Sequence, residues 1–337
     1  MSQPHAVHVT EVGMRDGLQS VSQTMPTQAK LRWLEALAAA GIPEIEVGSF
    51  VSPKLIPQMA DTAQVVKGGL AIPNLRISVL VPNLKGAQIA FESGAHHVGV
   101  PVSVTQEHLM ANVRKTHDQM LEELRAIVSL RDAQYPQVRV GAGLAVAFGC
   151  TIAGPVSDAQ TMRIAHAVAE CGADEVGLAD TTGYANPAQV RRLFRTLRSE
   201  LGDRAGGAHF HNTRGQGLAN VVAALDAGVT AFDSSLGGIG GCPYAPGATG
   251  NIVTEDLVFL LEAMGLDTGI DLDRLVEARR VLQEALPDQP LYGHLPDAGL
   301  PKGFAYANGR RPVARTARAD ASQGAPVGQS AETSAGA

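Results

Sequence analysis

Eight short runs rich in β-branched residues recur along this chain, each followed by a loop with Gly, Pro or Asn and then by an amphipathic stretch rich in Ala and Leu. The runs lie at 6–12, 44–48, 76–81, 97–102, 138–146, 174–179, 206–211 and 231–235. The helical stretches between them include LRWLEALAAAG at 31–41, PAQVRRLFRTLRSEL at 187–201 and GLANVVAALDAG at 217–228, several ending on glycine as helix C-termini favour. Strands separated by helices pair in parallel, and eight such units predict an α/β fold, the closed (β/α)8 TIM barrel. An open doubly wound sheet is the runner-up. It needs a glycine-rich phosphate turn after the first strand, and GMRDG at 13–17 does not match GxGxxG. With additional C-terminal helices reaching about 286, the barrel is placed at 1–290 as one catalytic domain and 291–337 as an extension. From about 306 the extension is Ala, Arg, Ser, Gly, Pro and Gln with almost no large apolar groups, so a disordered tail is expected there.

Composition removes several function classes. A net charge of −6 argues against a nucleic-acid or other polyanion partner, which calls for a basic face. No apolar run approaches the ~20 residues that span a bilayer, and the N-terminus has no charged-then-apolar leader, so no membrane partner is expected. Cys150, Cys171 and Cys242 are odd in number and far apart, which is no disulfide framework. A cytoplasmic protein with reduced thiols is the simplest reading.

A barrel of this type carries its chemistry at the C-terminal ends of its strands. Arg15 and Asp16 stand at the first such end, in EVGMRDGLQ. In HFHNTRG the seventh strand offers His209 and His211, two apart and therefore on one face. An isolated HxH pair is equally well read as two hydrogen-bonded core histidines. Asp16 changes that balance, because strands one and seven of a closed barrel are separated only by strand eight. Histidine with carboxylate suits Mn²⁺, Mg²⁺, Fe²⁺ or Zn²⁺, and no cysteine pair has thiolate–zinc spacing. After the eighth strand, SLGGIGGCPYAPGATGN at 235–251 is too glycine-rich for a helix and too long for a tight turn, the mark of a functional loop. It carries Cys242, an acid/base candidate, and ends in Asn251, whose amide oxygen can reach a rim metal. Cys150 and Cys171 are expected to be structural.

EVGMRDGLQ, EIEVGSFVSPKLIPQMAD at 44–61, HFHNTRGQGLAN at 209–220 and GGIGGCPYAPGATGNIVTEDL at 237–257 together resemble the 3-hydroxy-3-methylglutaryl-CoA lyase family. That family belongs to the metal-dependent barrel lyases and synthases with an Arg-Asp-Gly start. The resemblance covers roughly residues 7–290. It implies one divalent cation, Mg²⁺ or Mn²⁺, held by Asp16, His209, His211 and Asn251. It implies catalytic roles for Arg15, Glu46 and Cys242, and for His209 beside its ligand role. The implied partner is an acyl-CoA thioester, and the implied assembly is a homodimer or higher homo-oligomer, with the helices at 254–286 a candidate surface.

The chain departs from that pattern at several positions. Met14 replaces the usual proline, which should alter only the turn. Asn212 is similar to the condensing relatives, the isopropylmalate and citramalate synthases, and Arg214 adds a cation. The strand-four segment VPVSVTQEHL differs as well. Gly143 and Gly177 stand where a tyrosine and a serine are usual, so with Asp180 and Arg214 they are the candidates for an altered substrate pocket, its wall hollowed by the two glycines. Three functions are weighed. The first is a lyase acting on 3-hydroxy-3-methylglutaryl-CoA or a related 3-hydroxy-3-alkyl acyl-CoA. The second is a condensing acyltransferase, and the third a non-catalytic acyl-CoA-binding barrel.

Overall fold

The computed structural model describes residues 6–241 and 250–312. Its strands are β1 (His8–Glu11), β2 (Glu44–Ser49), β3 (Arg76–Leu80), β4 (His97–Ser103), β5 (Arg139–Ala145), β6 (Glu175–Asp180), β7 (Ala205–Phe210) and β8 (Ala231–Ser234). They pair in parallel and in sequence order, and β8 returns to β1 to close the barrel. Each falls within a residue or two of a run read from the sequence. The helices are α1 (Thr27–Ala39), α2 (Thr62–Gly69), α3 (Leu84–Glu92), α4 (Gln106–Val113), α5 (His117–Gln134), α6 (Asp158–Glu170), α7 (Pro187–Leu201), α8 (Gly217–Asp226), α9 (Thr254–Ala263) and α10 (Leu272–Ala285). Among the described residues, no helix is long and apolar enough to cross a membrane.

Alternation along each strand separates core from cavity. On β4 the buried Val98, Val100 and Val102 point outward beneath the helices, while His97, Gly99 and Pro101 line the central cavity. On β6, Val176 and Leu178 are buried and Glu175, Gly177 and Ala179 remain partly accessible. The apolar core is therefore the layer between sheet and helices. Phe148, Phe194 and Phe210, with ring centroids 6.1–6.4 Å apart, fasten β7 to α7 in that layer. Helix starts are pinned locally: Thr116 forms a capping box with Gln119 ahead of α5, and Asn186 caps α7 with Pro187 at its first turn.

The C-terminal helices close back onto the start of the chain. Val7 N donates to Asp267 O at 3.1 Å and Asp271 N to Ala40 O at 2.8 Å. The packed chain also continues past 306, where the sequence suggested that order ends. Tyr306 is buried, its hydroxyl accepts from Leu272 N at 2.9 Å, and its ring meets Phe304. One aromatic pair anchors this stretch, a signal that bulk composition averages away. The rest of the expected tail, 313–337, lies outside the described residues.

Candidate active site

The chain leaves β1 through one tight turn, Gly13–Gly17, of π-helical form. Gly13 must be glycine, because a Cβ there would lie 2.5 Å from Glu11 Oε1 and 3.1 Å from the Trp33 ring. The turn holds Arg15 and Asp16 side by side at the C-terminal mouth. Arg15 donates from Nε to Glu46 Oε2 and from Nη1 to Asp16 Oδ1, both at 2.6 Å. Burial works against the guanidinium charge, yet Glu46 and Asp16 more than restore it and raise its pKa. Burial likewise opposes ionisation of Asp16, but Arg15 and the two histidines outweigh it and hold this carboxyl well below the usual carboxylate range. For Glu46 burial prevails over Arg15 and the pKa is raised.

His209 and His211 emerge from the end of β7 with their Nε2 atoms 3.1 Å apart, and His211 Nε2 lies 3.6 Å from Asp16 Oδ2. Residues 250–252 run beside them as a short return segment: Asn212 N donates to Gly250 O, Ile252 N donates to Phe210 O, and Asn251 bridges His211. Asn251 thereby reaches Asp16, donating from Nδ2 to Oδ2 at 2.7 Å. The glycine that packs against this segment is a steric necessity. Gly240 has φ +106, and a Cβ on it would approach Asn251 Nδ2 to 2.7 Å.

These side chains suit a divalent cation. Asp16, His209 and His211 can each turn one ligand atom toward a common point, with those atoms all within 4.8 Å of one another. Asn251 Oδ1 is buried and has no hydrogen-bond partner among the described residues, leaving an acceptor free beside the trio. On the far side of His209, Nδ1 faces Asp233 Oδ2 at 3.3 Å, the outer carboxylate that commonly fixes a ligating imidazole. Burial disfavours the cationic form of both rings. Asp233 and Asp16 override this at His209 and raise its pKa, whereas His211, beside His209, is lowered.

Of the residues read from the sequence, Arg15, Asp16, Glu46, His209, His211 and Asn251 converge here. Cys242 lies outside the described residues. Gly143 and Gly177 both line the cavity, but only Gly143 is open. A Cβ there meets nothing within 4 Å, whereas one at Gly177 would sit 3.1 Å from Gly207 O because β7 presses close. Asp180 and Arg214 are engaged elsewhere. The Asp180 carboxylate accepts from Tyr184 N and Ala185 N, and burial, opposed by those donors, pushes its pKa up to about 6. Arg214 donates to Thr182 O and Gly183 O and lies over the Tyr184 ring, so both residues brace the loop after β6. Asn212 Oδ1 accepts from Gly217 N at the start of α8, a local structural role. Met14 is fully buried, and Cys150 and Cys171 are free and buried as expected.

Three participants escaped the sequence reading. Gln19 donates to Asp16 Oδ1 at 2.9 Å, and Asp233 backs His209. Glu11, wholly buried, accepts from Gly13 N, Leu236 N and Thr254 Oγ1, tying the Arg–Asp turn to the rim segment that leads to Asn251. A carboxylate inside an apolar strand was the signal that could have found Glu11 and Asp233, and Gln19 stands one helical turn after Asp16.

A closed parallel barrel with an Asp–His–His cluster beside a half-buried arginine at its C-terminal mouth defines a (β/α)8 enzyme built for cation-assisted chemistry. The family model described as HMGL-like matches residues 6–282, and the chain belongs to that family of carbon–carbon lyases. It is 39% identical over 286 residues to a hydroxymethylglutaryl-CoA lyase of Bacillus subtilis, covering 85% of this chain and 95% of the relative. It is 41% identical over 278 residues to a 3-hydroxy-3-isohexenylglutaryl-CoA/hydroxymethylglutaryl-CoA lyase of Pseudomonas aeruginosa, covering 82% and 92%. The structure of an HMG-CoA lyase from Acinetobacter baumannii, in complex with coenzyme A and 3-methylmalate, superposes with a TM-score of 0.83 at 39% identity, covering 89% of this chain and 97% of that one.

Proposed function

We propose that this chain cleaves 3-hydroxy-3-methylglutaryl-CoA to acetyl-CoA and acetoacetate, in the cytoplasm and as a homo-oligomer, with one Mg²⁺ or Mn²⁺ at Asp16, His209, His211 and Asn251. The observation that carries the reading is the convergence of those residues with Arg15 at the barrel mouth, in a chain whose relatives bear that activity in their names. A divalent cation bound there supplies Lewis acidity that brings a substrate hydroxyl's pKa down toward neutrality. The chain's own residues do the remainder. The hydroxyl proton passes to the Asp233 carboxylate, which lines the cavity and is oriented by its hydrogen bond with His209. The C2–C3 bond then breaks as the C3 oxygen becomes a carbonyl, and its electrons pass into a thioester enolate. Arg15 has five N–H donors and spends two on Glu46 and Asp16, which leaves others to stabilise the developing enolate oxygen. A preorganised donor of this kind is worth about 3–4 kcal/mol. Glu46 holds the guanidinium plane. Cys242 delivers a proton to the enolate carbon, completing acetyl-CoA.

Asn212, which pointed toward the condensing relatives, accepts from Gly217 N at the start of α8 and lends that alternative no support. Incubation of the purified protein with 3-hydroxy-3-methylglutaryl-CoA and Mg²⁺ or Mn²⁺ tests the reading. Metal-dependent release of equal amounts of acetyl-CoA and acetoacetate is expected, and a protein that binds the thioester without cleaving it refutes it.

A further inference from the structure

The end of the barrel opposite the catalytic mouth is closed by charge. His8, Glu44, Arg76, His97, Arg139 and Glu175 are the first residues of β1 to β6 in turn, so parallel pairing gathers all of them at one end. They form two sets. In the first, buried Glu44 presents Oε2 to His8 Nε2 at 3.3 Å and to Arg76 Nε at 3.4 Å. In the second, Glu175 pairs with Arg139 at 3.0 Å. Among the described residues, His97 alone touches both carboxylates. Its Nδ1 lies 2.9 Å from Glu44 Oε1 and its Nε2 lies 3.4 Å from Glu175 Oε1. A side chain on β4 thus spans from β2 to β6.

The contact has a slot made for it. A Cβ at Gly141 would lie 2.8 Å from His97 Nε2 and 3.1 Å from Glu175 Oε1, so the bare backbone of β5 is what lets the ring meet the second carboxylate. The neighbouring His96 takes no part, since its Nδ1 accepts from Ile77 N. Proton count then decides how the ring works. A neutral imidazole has one N–H and one lone pair, so it serves one carboxylate and opposes the other, whereas the imidazolium donates to both. Burial works against the charged ring, but Glu44 and then Glu175 outweigh both burial and Arg139, and the His97 pKa is raised above the ordinary 6.5. Burial likewise opposes ionisation of Glu44, yet His8, His97 and Arg76 hold it well below the usual carboxylate range.

We infer that His97 is a proton-dependent clasp, which as an imidazolium locks the starts of β2, β4 and β6 together and on losing its proton loosens that end of the barrel. The inference is independent of the lyase reading. Glu175 stands four residues before Ala179, the register partner of His209, so roughly 13 Å at ~3.3 Å per residue separate clasp from metal cluster. The native pKa lies above the unfolded one, so the stabilisation is complete below about 6.5 and is lost as pH rises through the native value.

The test begins with NMR of the full chain carrying 15N-labelled histidine, with the His97 ring assigned through its own backbone. A titration midpoint above 6.5 is expected, and a midpoint at or below 6.5 overturns the clasp. Gly141→Ala parts the ring from Glu175 and should move the midpoint back toward 6.5. An unchanged midpoint in that variant shows that Glu44 alone holds the proton and refutes a link across the barrel. Between pH 6 and 9 the wild-type Tm is expected to fall by about 2 °C or more beyond the fall seen in His97→Gln. Glu11 titrates in both proteins and cancels in that difference, so equal falls count against the inference. Hydrogen exchange, corrected for its intrinsic pH dependence, should quicken above the midpoint at the starts of β2, β4 and β6 while β7 keeps its protection. Exchange that stays unchanged there, or quickens uniformly over the barrel, overturns the local release. The wild-type titration and exchange decide the matter even if His97→Gln does not fold.

Discussion

Arg15 sits between two carboxylates that divide the work, Asp16 facing the histidines while Glu46 fixes the guanidinium plane. A lysine at position 15 would keep the charge but could not satisfy both partners and still present a directed donor to the substrate. Arg15→Lys should therefore lower kcat about 10²–10³-fold with a much smaller change in KM, the signature of an interaction made in the transition state. Unchanged kcat in steady-state assays removes Arg15 from enolate stabilisation. Glu11 leads to a prediction about pH. Burial pushes its pKa from the ordinary 4.5 up to about 8, against the pull of Thr254 and the amides of Leu236 and Gly13. Between those values the native state holds the proton more tightly than the unfolded chain. The stabilisation from protonated Glu11 is thus full below about 4.5 and is lost as pH rises toward 8. Glu11→Gln should flatten that part of the profile of melting temperature between pH 5 and 8.5. Profiles of identical shape would show that Glu11 does not titrate there.

At the scale of elements, the site is a junction between the turn after β1, the end of β7 and the return segment at 250–252. The backbone of that segment leaves no room. Gly250 has φ +81, and a Cβ there would fall 2.3 Å from Gly238 O and 2.5 Å from Gly240 O. Gly250→Ala should cost about 1–3 kcal/mol from backbone strain and move Asn251 off Asp16. Calorimetric titration with Mn²⁺ should show weaker binding, while α7 and the far side of the barrel keep their hydrogen-exchange protection. Wild-type Mn²⁺ affinity in that variant would mean that Asn251 is not a ligand. The element pattern itself was readable in the sequence. Strand and helix positions emerged because a buried parallel strand must be apolar on its outward face, and each helix must present one apolar stripe to it. Side-chain contacts across elements were less visible: Arg214 and Asp180 looked like pocket residues and instead brace the loop after β6.

At the scale of the molecule, a cation at the mouth would join three parts of the chain that are distant in sequence, and should stabilise the whole barrel. Ligand at a hundredfold excess over Kd adds about 2.7 kcal/mol, several degrees in Tm for a domain of this size. Chelation of the purified enzyme should lower Tm accordingly and abolish turnover, with Mg²⁺ or Mn²⁺ restoring both. The double variant His209→Ala/His211→Ala should show neither the metal-dependent Tm shift nor activity. Full turnover by that variant in chelator would end the cation mechanism.

The eight-unit period, the mouth residues Arg15, Asp16, His209, His211 and Asn251, and membership of the HMGL-like family were all determined by the sequence alone. Periodicity is a local property, and each of these motifs is contiguous or lies at a strand end whose position the fold class already specifies. Only the tertiary structure decided which of two glycines is empty. Gly143 and Gly177 are register partners on neighbouring strands and look alike in the sequence, but β7 packs against one and the cavity lies before the other. Likewise Glu11 and Asp233 gain their meaning only from what closes around them. Space and burial belong to the assembled barrel, set by how closely strands far apart in sequence approach, and no single segment encodes them.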